Sequence, residues 1–420
     1  MRKIREMIGH PRHSLSGLGR TVFFAMLVGC TSTNALAQIS DNVVRIGVLN
    51  DQTGPYAAEL GPGAVVAAKM AIEDFGGKVA GKPIELVVGN DQNKPDVGLN
   101  IARKWIESDG VDAIIGGSAS SVALAVQDFL REKKKPLLIA GSGSADLTGK
   151  ACSPTSIQFV YDSYSFPKAV VGSLSKQGVK TWFFITVDYS FGKTMQAEAT
   201  HFIEQSGGKV IGSVRHPLGT SDFSSYILQA QASGAQAIAF VNAGADFVNG
   251  IKQAREYGLN KNGRILTSFG VTTNMVLGVG LASAQGMQFA DPFYWDATAE
   301  GRTWSKRFME RFNGQAPTFQ QAGTYSAVLH YLKAVEASKS DDGPTVVAKM
   351  KLTPINDFAM KNVHIREDGQ TMRPMYLVQV KTPAESKSKY DLYSIKGIIP
   401  PEQVWRPLSE GECPFVVKKS

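Results

Sequence analysis

Beyond its first 37 residues the 420-residue chain is poor in reactive side chains: two cysteines, Cys152 and Cys413, and four histidines, His201, His216, His330 and His364. No CxxC occurs and no histidines stand at metal-ligand spacing, so thiol redox chemistry and a local metal centre have no support. His201 and His330 read as helix-surface or packing residues. The GxxxxGK[ST] phosphate loop is missing. Gly61-Pro62-Gly63 is not GxGxxG and does not directly follow a strand. Gly116-Gly117-Ser118-Ala119-Ser120 approaches the GxSxG of serine hydrolases but lacks its last glycine. The formal charge of +8 shrinks on inspection, because residues 1–37 hold Arg2, Lys3, Arg5, Arg12 and Arg20 against Glu6, leaving about +4 for the rest. No basic stripe with interleaved aromatics is present, so nucleic acid is not an expected partner, and Lys133-Lys134-Lys135 reads as a solvated helix end. After residue 37 no apolar run reaches membrane-spanning length.

What is present begins with a leader. A basic stretch is followed by the apolar Val22–Gly29, too short to anchor, and by Ala35-Leu36-Ala37, a small-x-small cleavage pattern. Residues 1–37 are therefore expected to be a secretory signal. Leu27-Val28-Gly29-Cys30 offers the competing reading of a lipobox with lipidation at Cys30. In an exported chain Cys152 and Cys413 are expected to pair, the alternative being two free thiols.

The remainder alternates strand and helix patterns. Strands are expected at 43–49, 84–88, 111–115 and 136–140, separated by helices at 64–75, 96–109 and 122–133. The pattern restarts with strands at 181–187, 210–214, 237–241 and 265–268 and helices at 192–205, 223–233 and 247–257. Helices return at 303–312 and 324–338, and the tail from Met375 holds short strands and loops. This predicts an α/β fold of two doubly wound parallel-sheet lobes with a cleft between them, ligands lying beyond the carboxyl ends of the strands.

Two of those strand ends carry binding chemistry. Gly116 to Ser121 follows the third strand, and Gly141-Ser142-Gly143-Ser144-Ala145-Asp146 follows the fourth. Small residues, hydroxyls and a helix N-terminus with unpaired N–H groups suit a carboxylate. Plain helix capping and turn formation is the competing explanation for each loop alone.

The stretches "VRIGVLNDQTGPYAAELGPGAVVAAKMAIEDFGG", "VDAIIGG", "PLLIAGSGSADLTG", "TWFFITVDYSFGK" and "TYSAVLHYLKAVEA" together resemble the bacterial periplasmic solute-binding proteins of ABC transporters, in the branched-chain amino-acid-type family. The resemblance runs in order through essentially all of the chain after the leader. It implies a type I periplasmic binding protein: an N-terminal lobe of 43–160 plus 293–370 and a C-terminal lobe of 161–292 plus 371–420. Three crossovers, near 159–162, 290–293 and 366–374, would join them and act as a hinge. It further implies that Ser120, with Ser121 beside it, and Ser144, with Ser142 as its alternative, hold a ligand carboxylate. Tyr189 and Phe191 would supply an aromatic wall, faced by Tyr56 and Leu60 from the first lobe, with Thr272 contributed by the loop after the strand at 265–268.

The sequence departs from the amino-acid-binding pattern in that last loop, which reads Ser268 to Asn274 with no acid to pair a ligand ammonium. Asp246 is the candidate substitute, its competing role being a helix N-cap. Members that take aromatic or other organic acids are an alternative, and "GPY…GPG" with "KACSP" resembles that branch. The implied function is capture of a small carboxylate, an organic acid or an amino acid, for membrane permease subunits, by a periplasmic monomer without cofactor or metal. The competing classes are a ligand-sensing receptor domain and a secreted hydrolase.

Overall fold

The computed structural model describes residues 39–261 and 263–417, so the expected leader and Cys30 lie outside the described residues. The first half contains β1 (Val44–Asn50), α1 (Gly61–Phe75), β2 (Lys78–Val79), β3 (Lys82–Asn90), α2 (Pro95–Glu107), β4 (Ala113–Gly116), α3 (Ser120–Lys133), β5 (Leu137–Ile139) and β6 (Ser156–Gln158). Then follow α4 (Ser165–Lys176), β7 (Thr181–Val187), α5 (Ser190–Gln205), β8 (Lys209–His216), α6 (Ser224–Ala232), β9 (Ala237–Val241), α7 (Gly244–Glu256), β10 (Ile265–Ser268), α8 (Thr273–Val279), α9 (Leu281–Ala284) and β11 (Gln288–Asp291). The chain ends with α10 (Ala299–Arg311), α11 (Phe319–Ser338), α12 (Gly343–Leu352), β12 (Met375–Val380), β13 (Tyr393–Ile399) and α13 (Pro401–Val404).

Three sheets result. The first runs β2-β3-β1-β4-β5-β6, parallel except for the β2–β3 hairpin. The second runs β10-β9-β7-β8, all parallel. The third, β11-β12-β13, is antiparallel. The parallel strands are apolar on both faces because helices cover both. In β1, Ile46 and Val48 pack into the cluster that holds Ala64, Ala67, Ala68 and Met70 of α1. Leu49 of the same strand packs on the other side with Ala102 and Trp105 of α2 and Val122 of α3. Among the described residues no helix is long and apolar enough to cross a membrane.

Three chain passages lie side by side between the two parallel sheets. Gln158 bridges Gln370 in parallel, and Gln158 N–H donates to Gly369 O at 2.9 Å. Arg373 donates from Nη2 to Pro292 O. Cys152 and Cys413 are disulfide-bonded, which ties the tail to the segment just before β6.

Strand positions agree closely with the periodicity; the helices differ at their starts. α1 begins at Gly61 because Pro62 sits in the first turn, where its missing N–H is not needed. α4 is not anticipated, since Pro167 and Gly172 interrupt a short pattern. The proline again falls in the first turn, and the helix buries Phe166, Val170, Val171 and Leu174. His330 is buried with Nε2 3.0 Å from Met350 O, a packing role.

Candidate functional site

In the first sheet the strand order reverses between β1 and β4, and in the second between β7 and β9. At such switch points the loops beyond the carboxyl ends diverge and leave a crevice. The loops after β1, β4, β7, β9 and β10 meet around one small cavity of about 20 Å³. Tyr56, Glu59, Leu60 and Ser118 line it from the first sheet's loops, with Phe319 and Gln320 of α11 and Tyr161 of the crossover. Tyr189, Phe191, Ala243, Gly270, Thr272 and Met275 line it from the second sheet's side.

Asp51 organises the first wall. Fully buried, it accepts from the N–H groups of Thr53, Gly54 and Tyr56 and from Asn93 Nδ2. That turn projects Tyr56, Glu59 and Leu60 toward the second sheet's loops. Its own N–H donates to Ser118 Oγ at 2.9 Å, which leaves the Ser118 proton available to a ligand. Gly116 sits at φ +135, and a Cβ there would lie 2.1 Å from Leu49 O. The glycine that opens this loop is therefore required by strand packing.

Four hydrogen bonds close the two walls on each other. Tyr56 and Tyr189 share one between their hydroxyls at 2.8 Å. Thr272 Oγ1 donates to Glu59 Oε2, Asn274 Nδ2 donates to Ala58 O at 2.6 Å, and Ala245 N–H donates to Pro55 O at 3.3 Å. Burial raises the pKa of both phenols, so they stay protonated. One donates to the other, and the second keeps a proton to give elsewhere. Phe191 stacks against Tyr189 with centroids 5.9 Å apart. Tyr161 packs edge-on to Phe319 at 5.3 Å, so five aromatic rings bound the space.

Of the residues expected from the sequence, Tyr56, Leu60, Tyr189, Phe191 and Thr272 are brought to the cavity. Ser120, Ser121, Ser142, Ser144 and Asp246 are not among its lining. Ser120 Oγ accepts from Ser144 N–H at 3.1 Å, Ser142 donates to Gly117 O at 2.6 Å, and Ser144 Oγ accepts from Asp146 N–H. The Ser120 and Ser142 hydroxyls knit the two loops together, and Ser144 caps the turn of its own loop. Ser121 follows Ser120 in the first turn of α3 and is half-buried. Asp246 lies in the first turn of α7 and accepts Gly219 N–H on both oxygens at 3.1 Å, holding the loop after β8. Burial lifts its carboxyl to about 6, and burial lowers the pKa of His216 beside it. Ser118, Glu59, Tyr161, Phe319 and Gln320 escaped the sequence reading. Ser118 lies in the Gly116–Ser121 loop two residues before Ser120, and Glu59 adjoins Leu60. Phe319, Gln320 and Tyr161 come from distant segments with no local signal. No histidine is among the residues that line the cavity.

The sequence profile of the periplasmic binding proteins matches residues 43–388. The chain belongs to that family. It is a periplasmic ligand-binding protein of the ABC-transporter type with the type I fold, two lobes joined by three crossovers. A periplasmic binding protein from Burkholderia mallei is 41% identical at a TM-score of 0.87, over 89% of this chain and 99% of that one. A branched chain amino acid ABC transporter periplasmic ligand-binding protein from Burkholderia xenovorans LB400 is 40% identical at 0.79, over the same shares. The Leu/Ile/Val-binding protein homolog 6 of Brucella melitensis biotype 1 is 23% identical across 78% of this chain and 87% of its own length. A Rhodopseudomonas palustris solute-binding protein in complex with benzoate shares the fold at a TM-score of 0.77 and 19% identity, over 85% of this chain and 97% of that one.

Proposed function

We propose that this binding protein is exported, captures a small ring-bearing carboxylate between its lobes and hands it to membrane permease subunits. The observation that carries this reading is the cavity itself: five aromatic rings around a small space, with the hydroxyls of Ser118 and of the Tyr56–Tyr189 pair as donors. Planar rings stack favourably on such walls, and neutral donors suit a carboxylate in a site without basic side chains. Both lobes supply walls, so a ligand there ties them together, which is hinge closure. In this reading the three adjacent passages near 159–162, 290–293 and 366–374 act as the hinge. The Rhodopseudomonas palustris complex supports an aromatic acid as one ligand class, and the Brucella and Burkholderia relatives support an amino acid.

A thermal-shift screen of amino acids, benzoate-like acids and aliphatic acids tests this, because a ligand that binds only the folded state raises apparent stability. Ring-bearing acids are expected to raise the melting temperature. A response confined to acids without a ring would overturn the reading.

A further inference from the structure

We infer that the cavity walled by the chain passages at Pro292 and Arg373 is a second ligand site, one that takes a small carboxylate with an apolar tail and holds its head group on Arg373. It shares no lining residue with the cavity described above, so the inference stands apart from the capture reading.

Arg373 is only 2% exposed. Its Nη2 donates to Pro292 O, while Nε and Nη1 are buried with no acceptor among the described residues. Burial lowers its pKa to about 10, so the guanidinium is charged at neutral pH. Asp357 and Asp291 lie close enough to feel that charge, but their oxygens are engaged elsewhere. Asp357 Oδ1 takes the N–H groups of Ala359 and Met360, each at 2.8 Å, and Asp291 Oδ1 takes that of Phe293 at 2.9 Å. Burial pushes Asp291 up to about 8, which leaves it largely protonated and uncharged at neutral pH.

A buried cation with N–H groups to spare is costly unless an acceptor of opposite charge meets it. Arg373 and Pro292 both line a cavity of about 290 Å³, near the lower end of the range of about 300–1,000 Å³ for small-molecule sites. Most of its remaining wall is apolar, with Phe358, Met360, Val363, Met375 and Ile398. Ile398 is 64% exposed, an apolar side chain left in water beside this cavity. Glu300 and Lys361 also line it, but both are exposed and pair with each other at 3.7 Å. The one buried charge in the lining is therefore positive.

The chemistry of the occupant follows from these walls. Water would supply an acceptor without a charge, whereas a carboxylate supplies both, and a guanidinium matches its planar geometry. A phosphate would bring a second negative charge into a mostly apolar space. The apolar wall calls for a hydrocarbon tail on the same molecule.

Four probes on the full exported protein at pH 7 test this: octanoate, acetate, octan-1-ol and octylamine. Calorimetry is expected to show octanoate binding at least about 30-fold more tightly than acetate, through its buried tail, and at least about 10-fold more tightly than the alcohol or the amine, through its head group. Arg373→Gln should weaken octanoate about 10- to 100-fold. An octanoate that carries a diazirine should label the wild type within 358–363 or 375–376, and this mapping decides alone if Arg373→Gln does not fold. Acetate or octan-1-ol binding as tightly as octanoate, unchanged octanoate affinity in Arg373→Gln, or no octanoate binding overturns the inference. Labelling at Tyr56, Tyr189 or Phe191 instead overturns it alone, since the capture reading is decided by ring-bearing acids.

Discussion

One methyl group should hold the lobes apart. Gly244, the first residue of α7, sits at φ +57, and a Cβ there would lie 2.3 Å from Pro55 O and 2.9 Å from a ring carbon of Tyr56. Ordinary contact begins at 3.4 Å, so Gly244→Ala demands about 1 Å of extra separation between backbones of opposite lobes. The Pro55 loop cannot give way cheaply, because Asp51 holds its neighbours Gly54 and Tyr56 by their N–H groups. The strain must therefore be met by opening. Opening sacrifices the Tyr56–Tyr189, Thr272–Glu59, Asn274–Ala58 and Ala245–Pro55 hydrogen bonds. At about 1 kcal/mol net for each, the closed state loses about 2–4 kcal/mol and ligand affinity falls about 30- to 1,000-fold. A separate cost of about 1 kcal/mol, for a side chain at positive φ, acts on the open and closed states alike and appears only in the melting temperature. Gly178→Ala isolates that second cost, because Gly178 is at φ +91 with nothing within 4 Å of its Cβ position. Small-angle scattering should show a ligand-dependent contraction in the wild type and in Gly178→Ala that is lost in Gly244→Ala. Contraction and affinity at wild-type levels in Gly244→Ala would refute the argument.

Three further outcomes are expected. Replacing Cys152 and Cys413 by serine removes a link across a separation of 261 residues, worth about 5 kcal/mol in the chain-entropy account, and should lower the melting temperature; unreduced peptide mapping should return the two cysteine peptides as one species. Ser120→Ala strands the buried Ser144 N–H and should cost about 1–3 kcal/mol of stability with little change in affinity; loss of ligand binding at unchanged stability would return that serine to the site. Burial raises Glu59 to about 7, Asp246 and Asp91 to about 6 and Asp291 to about 8, so at these four carboxyls the folded state holds more protons than the unfolded chain across pH 4 to 8, outweighing buried His216 and His330, whose lowered pKa acts in the opposite sense. These groups favour folding fully below their unfolded values and lose that contribution as pH rises through the folded ones. The melting temperature should therefore climb from pH 8 to pH 5.5, and a steady fall over that interval would contradict the assignment.

Local pattern by itself determined a great deal here. The largely apolar runs at 182–187 and 237–241 arise because both faces of a parallel sheet are covered, so they are legible without any knowledge of partners. The restart of the strand–helix pattern marked two lobes, and strand ends marked where ligand-facing loops lie, while Tyr56, Leu60, Tyr189, Phe191 and Thr272 came forward from the resemblance to the family. Only the tertiary structure decided which polar groups in those loops face the cavity. Ser142 and Ser144 share the strand-end position of a binding serine, yet Ser142 gives its proton to Gly117 O, Ser144 Oγ accepts from Asp146 N–H, and neither lines the cavity. Nothing in the local sequence marks Glu59; it becomes a buried acid because Thr272, 213 residues away in sequence, and Thr318 close over it. Hydrophobic periodicity is a property of a short segment, whereas the availability of a hydroxyl or carboxylate depends on every donor and acceptor that folding brings within about 3 Å of it.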